Sequence, residues 1–294
     1  MAVRIAIANH KGGVAKSTTA LMLAEGLAHF IGLRVLAIDL DPQASLSTML
    51  LSRERADAAA EQGRSISHLL ATIVEARPVN FSKLMTTKAS DIVELRDAAD
   101  RRRVDLVASN RQLLAHLSEL ETRLRQRYGE RLDKAVAAAL EPALSRLDKS
   151  YDVVIFDTAA GTGPLALAAV RLSSMVISPT VLDTVSLDAL RDFIGIVLGH
   201  DDTLANFDHY VLATLFRAGD PEQRLKLDHI RAGLIRLQIL PAVVSDTVHV
   251  RRATERIRPD SFRTAREKYD EALRTLDELA NAVMRIRPLR GNRE

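Results

Sequence analysis

The 294-residue chain has no cysteine. Disulfides and cysteine-ligated metal sites are therefore excluded, which suits a reducing compartment. Long hydrophobic runs are missing as well. No stretch reaches the ~18 apolar residues of a membrane span, and the N-terminal Met-Ala-Val-Arg-Ile-Ala-Ile-Ala leads into a glycine-rich loop without a signal-peptide pattern. A soluble, cytoplasmic protein is the expectation. Charge of one sign is scarce too, with 41 Lys/Arg against 38 Asp/Glu and a net charge of +3. The imbalance is local: residues 250–294 carry 12 Lys/Arg against 8 Asp/Glu, which leaves the remainder at −1. Such an excess is compatible with contacts to a phosphate backbone, and equally with an ordinary solvated helix face.

What is present is apolar patterning. Hydrophobic residues make up 47% of the chain, enough to bury a full core in one large α/β domain, expected to span residues 1–294. Short runs rich in β-branched residues recur at Val3 to Ala8, Arg34 to Ile38, Val104 to Val107, Val153 to Asp157, Met175 to Ser178, Tyr210 to Phe216 and Ile239 to Val244. Between them, stretches such as Lys16 to Ile31, Leu132 to Leu147 and Ser186 to Leu198 place apolar residues three and four apart. The alternation predicts a doubly wound, mostly parallel sheet with helices on both faces. The polar tract near 51–64 reads as a variable loop inserted before a short helix at Ile66 to Val74. A last periodic segment aligns Ala265, Tyr269, Leu273, Leu276, Ala280 and Val283 on one stripe, ahead of a basic tail at 285–294. No internal repeat is apparent.

The strongest chemical signal is His10-Lys11-Gly12-Gly13-Val14-Ala15-Lys16-Ser17-Thr18, which follows a predicted strand and opens a predicted helix. Glycines let consecutive N–H groups curl around one hollow, and the helix adds the positive end of its dipole, so the segment is a phosphate cradle. Lys16 is then placed for the β- and γ-phosphates of ATP, and the Ser17 hydroxyl for Mg²⁺. His10 and Ala15 stand where the standard motif has its outer glycines. A positive φ at Ala15 would cost about 1 kcal/mol or more.

The variant K-G-G-x-x-K-[ST] resembles the ParA/MinD family of P-loop ATPases. That resemblance implies that Lys11 reaches the partner's nucleotide across a two-fold interface. It also implies roles for two acidic strand ends. In Asp39-Leu40-Asp41-Pro42-Gln43, Asp41 corresponds to the residue that positions and polarises the attacking water, and Asp39 to a support of the Mg²⁺ shell. In Val153-Val154-Ile155-Phe156-Asp157, Asp157 corresponds to the Walker B carboxylate on the Mg²⁺ hydration shell. Here Ala159-Ala160-Gly161 follows, where the family has two prolines. Val107-Ala108-Ser109-Asn110 and Ile177-Ser178-Pro179-Thr180 also resemble family segments, while Ser245 and Asp246 replace a Pro and an Arg expected near the base.

The resemblance is closest to the short, Soj-like form, since the chain starts close ahead of His10 with no helix-turn-helix extension. It implies ATP-dependent homodimerisation, non-specific DNA binding and stimulation of a slow ATPase by a ParB-like adaptor, in partition of plasmid or chromosomal DNA on the nucleoid. Arg217, Arg224, Arg251, Arg252 and Arg256 lie in regions comparable to the family's DNA-contacting arginines. Two other readings stay open. A ParA-like ATPase that positions a protein cargo on the nucleoid has the same sequence features. A MinD-like membrane-associated regulator requires an amphipathic C-terminal helix, and the tail Arg285-Ile286-Arg287-Pro288-Leu289-Arg290 has a proline and few large apolar residues. Nitrogenase-reductase relatives need cluster-ligating cysteines, and cobyrinate-amidating ones a further substrate site that the sequence does not display.

Overall fold

In a computed structural model, residues 1–97, 102–110, 112–129, 131–200, 208–255 and 262–288 are described. Seven strands form one sheet: β1 (Val3–Ile7), β2 (Arg34–Asp39), β3 (Arg103–Val107), β4 (Val153–Asp157), β5 (Met175–Thr180), β6 (Asp208–Phe216) and β7 (Ile239–Ser245). Their order is β3-β2-β4-β1-β5-β6-β7, and every pairing is parallel. The continuous apolar runs follow from this arrangement, because strands covered on both faces alternate between two buried environments. Ile5 and Ile7 enter one core and Ala6 and Ala8 the other.

Fourteen α-helices lie between and after the strands among the described residues. On the first face α1 (Lys16–Gly26), which continues as a π turn to Ile31, packs with α2 (Ser45–Leu51), α12 (Val248–Thr254), α13 (Ala265–Tyr269) and α14 (Leu273–Ile286). Gly26 allows the close approach of α1 to α14, since a Cβ there would lie 3.0 Å from the Leu276 carbonyl oxygen. The opposite face is covered by α4 (Ile66–Val74), α7 (Gln112–Tyr128), α8 (Leu132–Leu147) and α9 (Pro164–Leu172). The edge beyond β5 carries α10 (Thr184–His200) and α11 (Pro221–Arg231), whose Leu187 and Leu227 close a third, smaller core. Short helices α3 (Arg53–Glu61), α5 (Phe81–Leu84) and α6 (Val93–Asp97) complete the set.

One sequence expectation is corrected. The tract expected as a loop near 51–64 is mostly helix α3. Its Arg, Ala and Glu residues are strong helix formers, the Ser52 hydroxyl accepts from Arg55 N at 3.4 Å, and Gly63 at φ 77° ends the element. The last periodic stripe does face one core, with Leu273 packed against Ala265, Tyr269, Leu276, Ala280 and Val283, although the helix carrying it turns at Asp270, where φ is 49°. The residues just before that turn are held by a buried charge cluster: Lys268 Nζ lies 2.9 Å from Glu25 and 2.6 Å from Asp91.

Candidate active site

The parallel register aligns three strand ends, for Ile7 pairs with Asp157 and Asp157 with Asp39. Connections leave β1 and β2 towards the β3 edge, whereas those after β4, β5 and β6 run towards β7. Strand order thus reverses at β4 and β1, where a crevice opens outside the carboxyl ends.

The loop after β1 curls through two left-handed residues, Gly13 at φ 72° and Ala15 at φ 65° and ψ 38°. Ala15 therefore takes the strained conformation expected from its position, at a cost of about 1–2 kcal/mol. Directly after it, the N–H groups of Lys16, Ser17 and Thr18 open α1 without intrahelical acceptors and face the crevice with the helix dipole behind them. The loop is pinned from below. Thr214 donates to the Val14 carbonyl at 3.0 Å, and Asn9 accepts from Lys11 N at 3.2 Å while donating to the Pro179 carbonyl at 2.8 Å. Asn9 was not singled out in the sequence; its only signal is a polar residue closing an apolar strand. Lys16, 7% exposed, folds back over the loop, its ammonium 3.1 Å from the Lys11 carbonyl. Burial lowers its pKa, and the carboxylates of Asp157 and Asp41 oppose that shift.

Opposite the loop stand the acids. Asp157 is fully buried, and neither oxygen has a hydrogen-bond partner among the described residues. Burial pushes its pKa well above the ordinary carboxylate range and the neighbouring Asp39 adds to this, while Ser17 and Lys16 temper it. An orphaned carboxylate of this kind is costly unless a ligand completes it. Asp157 beside the Ser17 hydroxyl offers hard oxygen donors that fit Mg²⁺. Asp39 is equally buried but differently employed: it accepts from Asp41 N at 3.1 Å, and from Ser47 N and Oγ at 2.9 and 2.7 Å. Burial pushes its pKa up to about 7 against those bonds. Asp39 thus organises the segment that carries Asp41 and the start of α2, and leaves Asp157 as the carboxyl open to a cation. Asp41 is half-buried and accepts from Gln43 N at 2.9 Å.

The structure brings together the cradle of Gly12 to Thr18 with Asp39, Asp41 and Asp157, and places Lys11 elsewhere. The Lys11 ammonium sits 2.7 Å from Ser186 Oγ and 3.8 Å from Asp183, within its own subunit. Among the arginine candidates, Arg217 and Arg251 converge on Asp246 at 3.2 and 2.6 Å. Arg224 and Arg252 are exposed with no ion pair among the described residues. Arg256 and the tail beyond residue 288 lie outside the described residues. No helix among the described residues is long and apolar enough to cross a membrane.

A family model described as AAA domain matches residues 2–206. Over 193 residues the chain is 29% identical to the sporulation initiation inhibitor protein Soj of Bacillus subtilis, covering 66% of this chain and 64% of Soj. Over 207 residues it is 31% identical to a putative replication protein A of Sinorhizobium fredii, covering 66% of this chain and 44% of the relative. The match thus takes in less than two thirds of either relative's length. Among solved structures, a putative plasmid partition protein of Borrelia burgdorferi bound to AMPPNP has a TM-score of 0.70 at 19% identity, covering 97% of this chain and 100% of that one. Cobyrinic acid a,c-diamide synthase of Mycobacterium smegmatis, with bound ATP analog and magnesium, has a TM-score of 0.67 at 24% identity and covers 97% and 95%. At these identities the structural likeness is one of fold.

Proposed function

Since the chain belongs to the AAA domain family and is a ParA/Soj-like P-loop ATPase, we propose that it is an ATP-driven dimerisation switch that binds DNA without sequence preference and drives DNA partition with a ParB-like adaptor. The observation that carries the nucleotide chemistry is the orphaned Asp157 carboxyl facing Ser17 and Lys16 below a curled loop. Backbone N–H groups from Gly12 to Thr18 and the Lys16 ammonium bind the phosphates. Ser17 and Asp157 hold Mg²⁺, which when bound neutralises phosphate charge and fixes the geometry of the triphosphate. Asp41 orients and polarises the attacking water, and Asp39 keeps the Asp41 segment in place through Ser47. Lys11 completes the site of the partner subunit in the ATP-bound dimer.

Arg224 and Arg252, with Arg217 and Arg251 beside them, form the candidate DNA face, and the protein works on the nucleoid in the cytoplasm. Binding through such a face releases counterions and weakens steeply with salt. The test is equilibrium binding to a random-sequence duplex with ATP, ADP or no nucleotide over a salt series, for wild type and Lys11→Ala. Binding that needs ATP, falls with salt and disappears in Lys11→Ala is the expected result. A chain that turns over ATP but binds no duplex in any state is not a DNA-tracking switch.

A further inference from the structure

Lys11 is held at both ends. Its backbone N–H is fixed by Asn9, which is itself anchored to the end of β5 through Pro179 and Thr180. Its ammonium lies on the segment that follows β5. There Asp183 accepts from Ser186 N at 2.6 Å and from Ser186 Oγ at 2.8 Å, so that the serine's lone pairs face the ammonium at 2.7 Å. Asp183 itself stands 3.8 Å from the same ammonium. Burial alone would raise the pKa of Asp183, yet the Ser186 bonds and the charges of Lys11 and Lys226 hold it below the usual carboxylate range. Lys226 braces the same segment from α11, donating to Thr184 at 3.1 Å. Between Thr184 and Ser186 the apolar Val185 is 69% exposed.

We infer that Asp183, acting through Ser186, is a positioning residue for Lys11: it retains the lysine on its own subunit and sets how readily that lysine is released to a partner's phosphates. The inference rests on the dimer reading above. The retaining contact competes with the trans contact for one ammonium, so any weakening of the first favours the second in proportion. Both side chains are partly solvated, at 33% and 45% exposure, and such contacts bias an equilibrium modestly.

The test compares wild type, Asp183→Asn, Ser186→Ala, Lys11→Ala and the double variant Asp183→Asn/Lys11→Ala. Two quantities are read: the protein concentration at half-dimerisation with non-hydrolysable ATP, and partner-free ATP turnover. Asp183→Asn is expected to lower the half-dimerisation concentration about three- to five-fold and to raise turnover by a similar factor. Ser186→Ala, which removes the hydroxyl that meets the ammonium, does so to a similar extent, and Asp183→Glu restores wild-type values. In the Lys11→Ala background Asp183→Asn changes neither quantity. The inference is overturned if Asp183→Asn leaves the half-dimerisation concentration unchanged or raises it, or if its effect persists without Lys11. Loss of dimerisation in Lys11→Ala combined with a silent Asp183→Asn sinks this inference alone. An unaffected Lys11→Ala sinks the dimer reading itself.

Discussion

Two buried charge clusters flank α1, and they are completed in opposite ways. At its far end Glu25, Asp91 and Lys268 are all buried; Lys268 bonds both carboxylates, and Ser90 and the Tyr269 hydroxyl donate to Glu25. Burial works to lower the pKa of Lys268, but Glu25 and Asp91 outweigh it and hold it raised. At the near end Asp39 and Asp157 share a register level, and the oxygens of Asp157 have no hydrogen-bond partner among the described residues. The first cluster closes on itself and ties the C-terminal helices to α1. The second is left open to whatever enters the crevice. Burial alone does not separate structural from functional charge; whether the protein itself completes the cluster does.

The largest effect is expected where the closed cluster is broken. Lys268→Met leaves two carboxylates buried without a cation, and should cost about 3–5 kcal/mol of unfolding free energy in urea titrations. The open cluster should respond with the opposite sign. Asp157→Asn removes a carboxyl whose ionisation burial opposes, and is expected to stabilise the nucleotide-free protein by about 1–3 kcal/mol while abolishing ATP turnover. The pH profile follows from raised folded-state pKa values. The stability contributed by Asp39 and Asp157 is complete below the unfolded value of 3.8 and is lost as pH rises through the folded one, which for Asp39 is about 7. Wild type should therefore lose stability between about pH 4 and pH 7, and Asp157→Asn should flatten that slope. Destabilisation by Asp157→Asn would mean that the protein completes this cluster after all.

The contrast between the clusters also marks what the sequence could and could not reveal. Strands were legible because a doubly covered parallel sheet demands unbroken apolar runs, and the cradle because two glycines and two lysines stand between a strand and a helix. Asp157 was legible as the polar end of an apolar run. The partners of these groups were not. Lys11 meets Ser186 175 positions away and Lys268 meets Glu25 243 positions away, separations over which local periodicity carries no information. Helix α3 was misread because its polar composition hid its helix propensity and its Ser52 cap, and the turn at Asp270 lies within an apolar stripe that continues past it.

A smaller effect is expected at Ala15, whose left-handed backbone penalises a Cβ. Ala15→Gly should stabilise the protein by about 1 kcal/mol or less, since relief of strain is partly offset by the flexibility of glycine in the unfolded chain. Thermal unfolding with and without ATP checks this, and a lower melting temperature would show that the loop relies on the alanine.

The smallest effect concerns a third charge cluster, at the surface, in which two exposed arginines cover an Asp246 side chain that is 9% exposed. Arg217 and Arg251 are 68% and 64% exposed, and both converge on Asp246. The carboxylate, held below its usual pKa by Arg251 and Arg217, is ionised at neutral pH and cancels one of their two charges. Asp246→Asn frees that charge without removing an arginine. Affinity for duplex DNA with ATP should then rise a few-fold at low salt, and the plot of log K against log salt should steepen by up to about one. Because Asn keeps the shape of the side chain and an oxygen that can still accept from Arg217 or Arg251, stability and turnover should stay close to wild type. An unchanged salt slope would remove Arg217 and Arg251 from the DNA face and leave Arg224 and Arg252 to carry it.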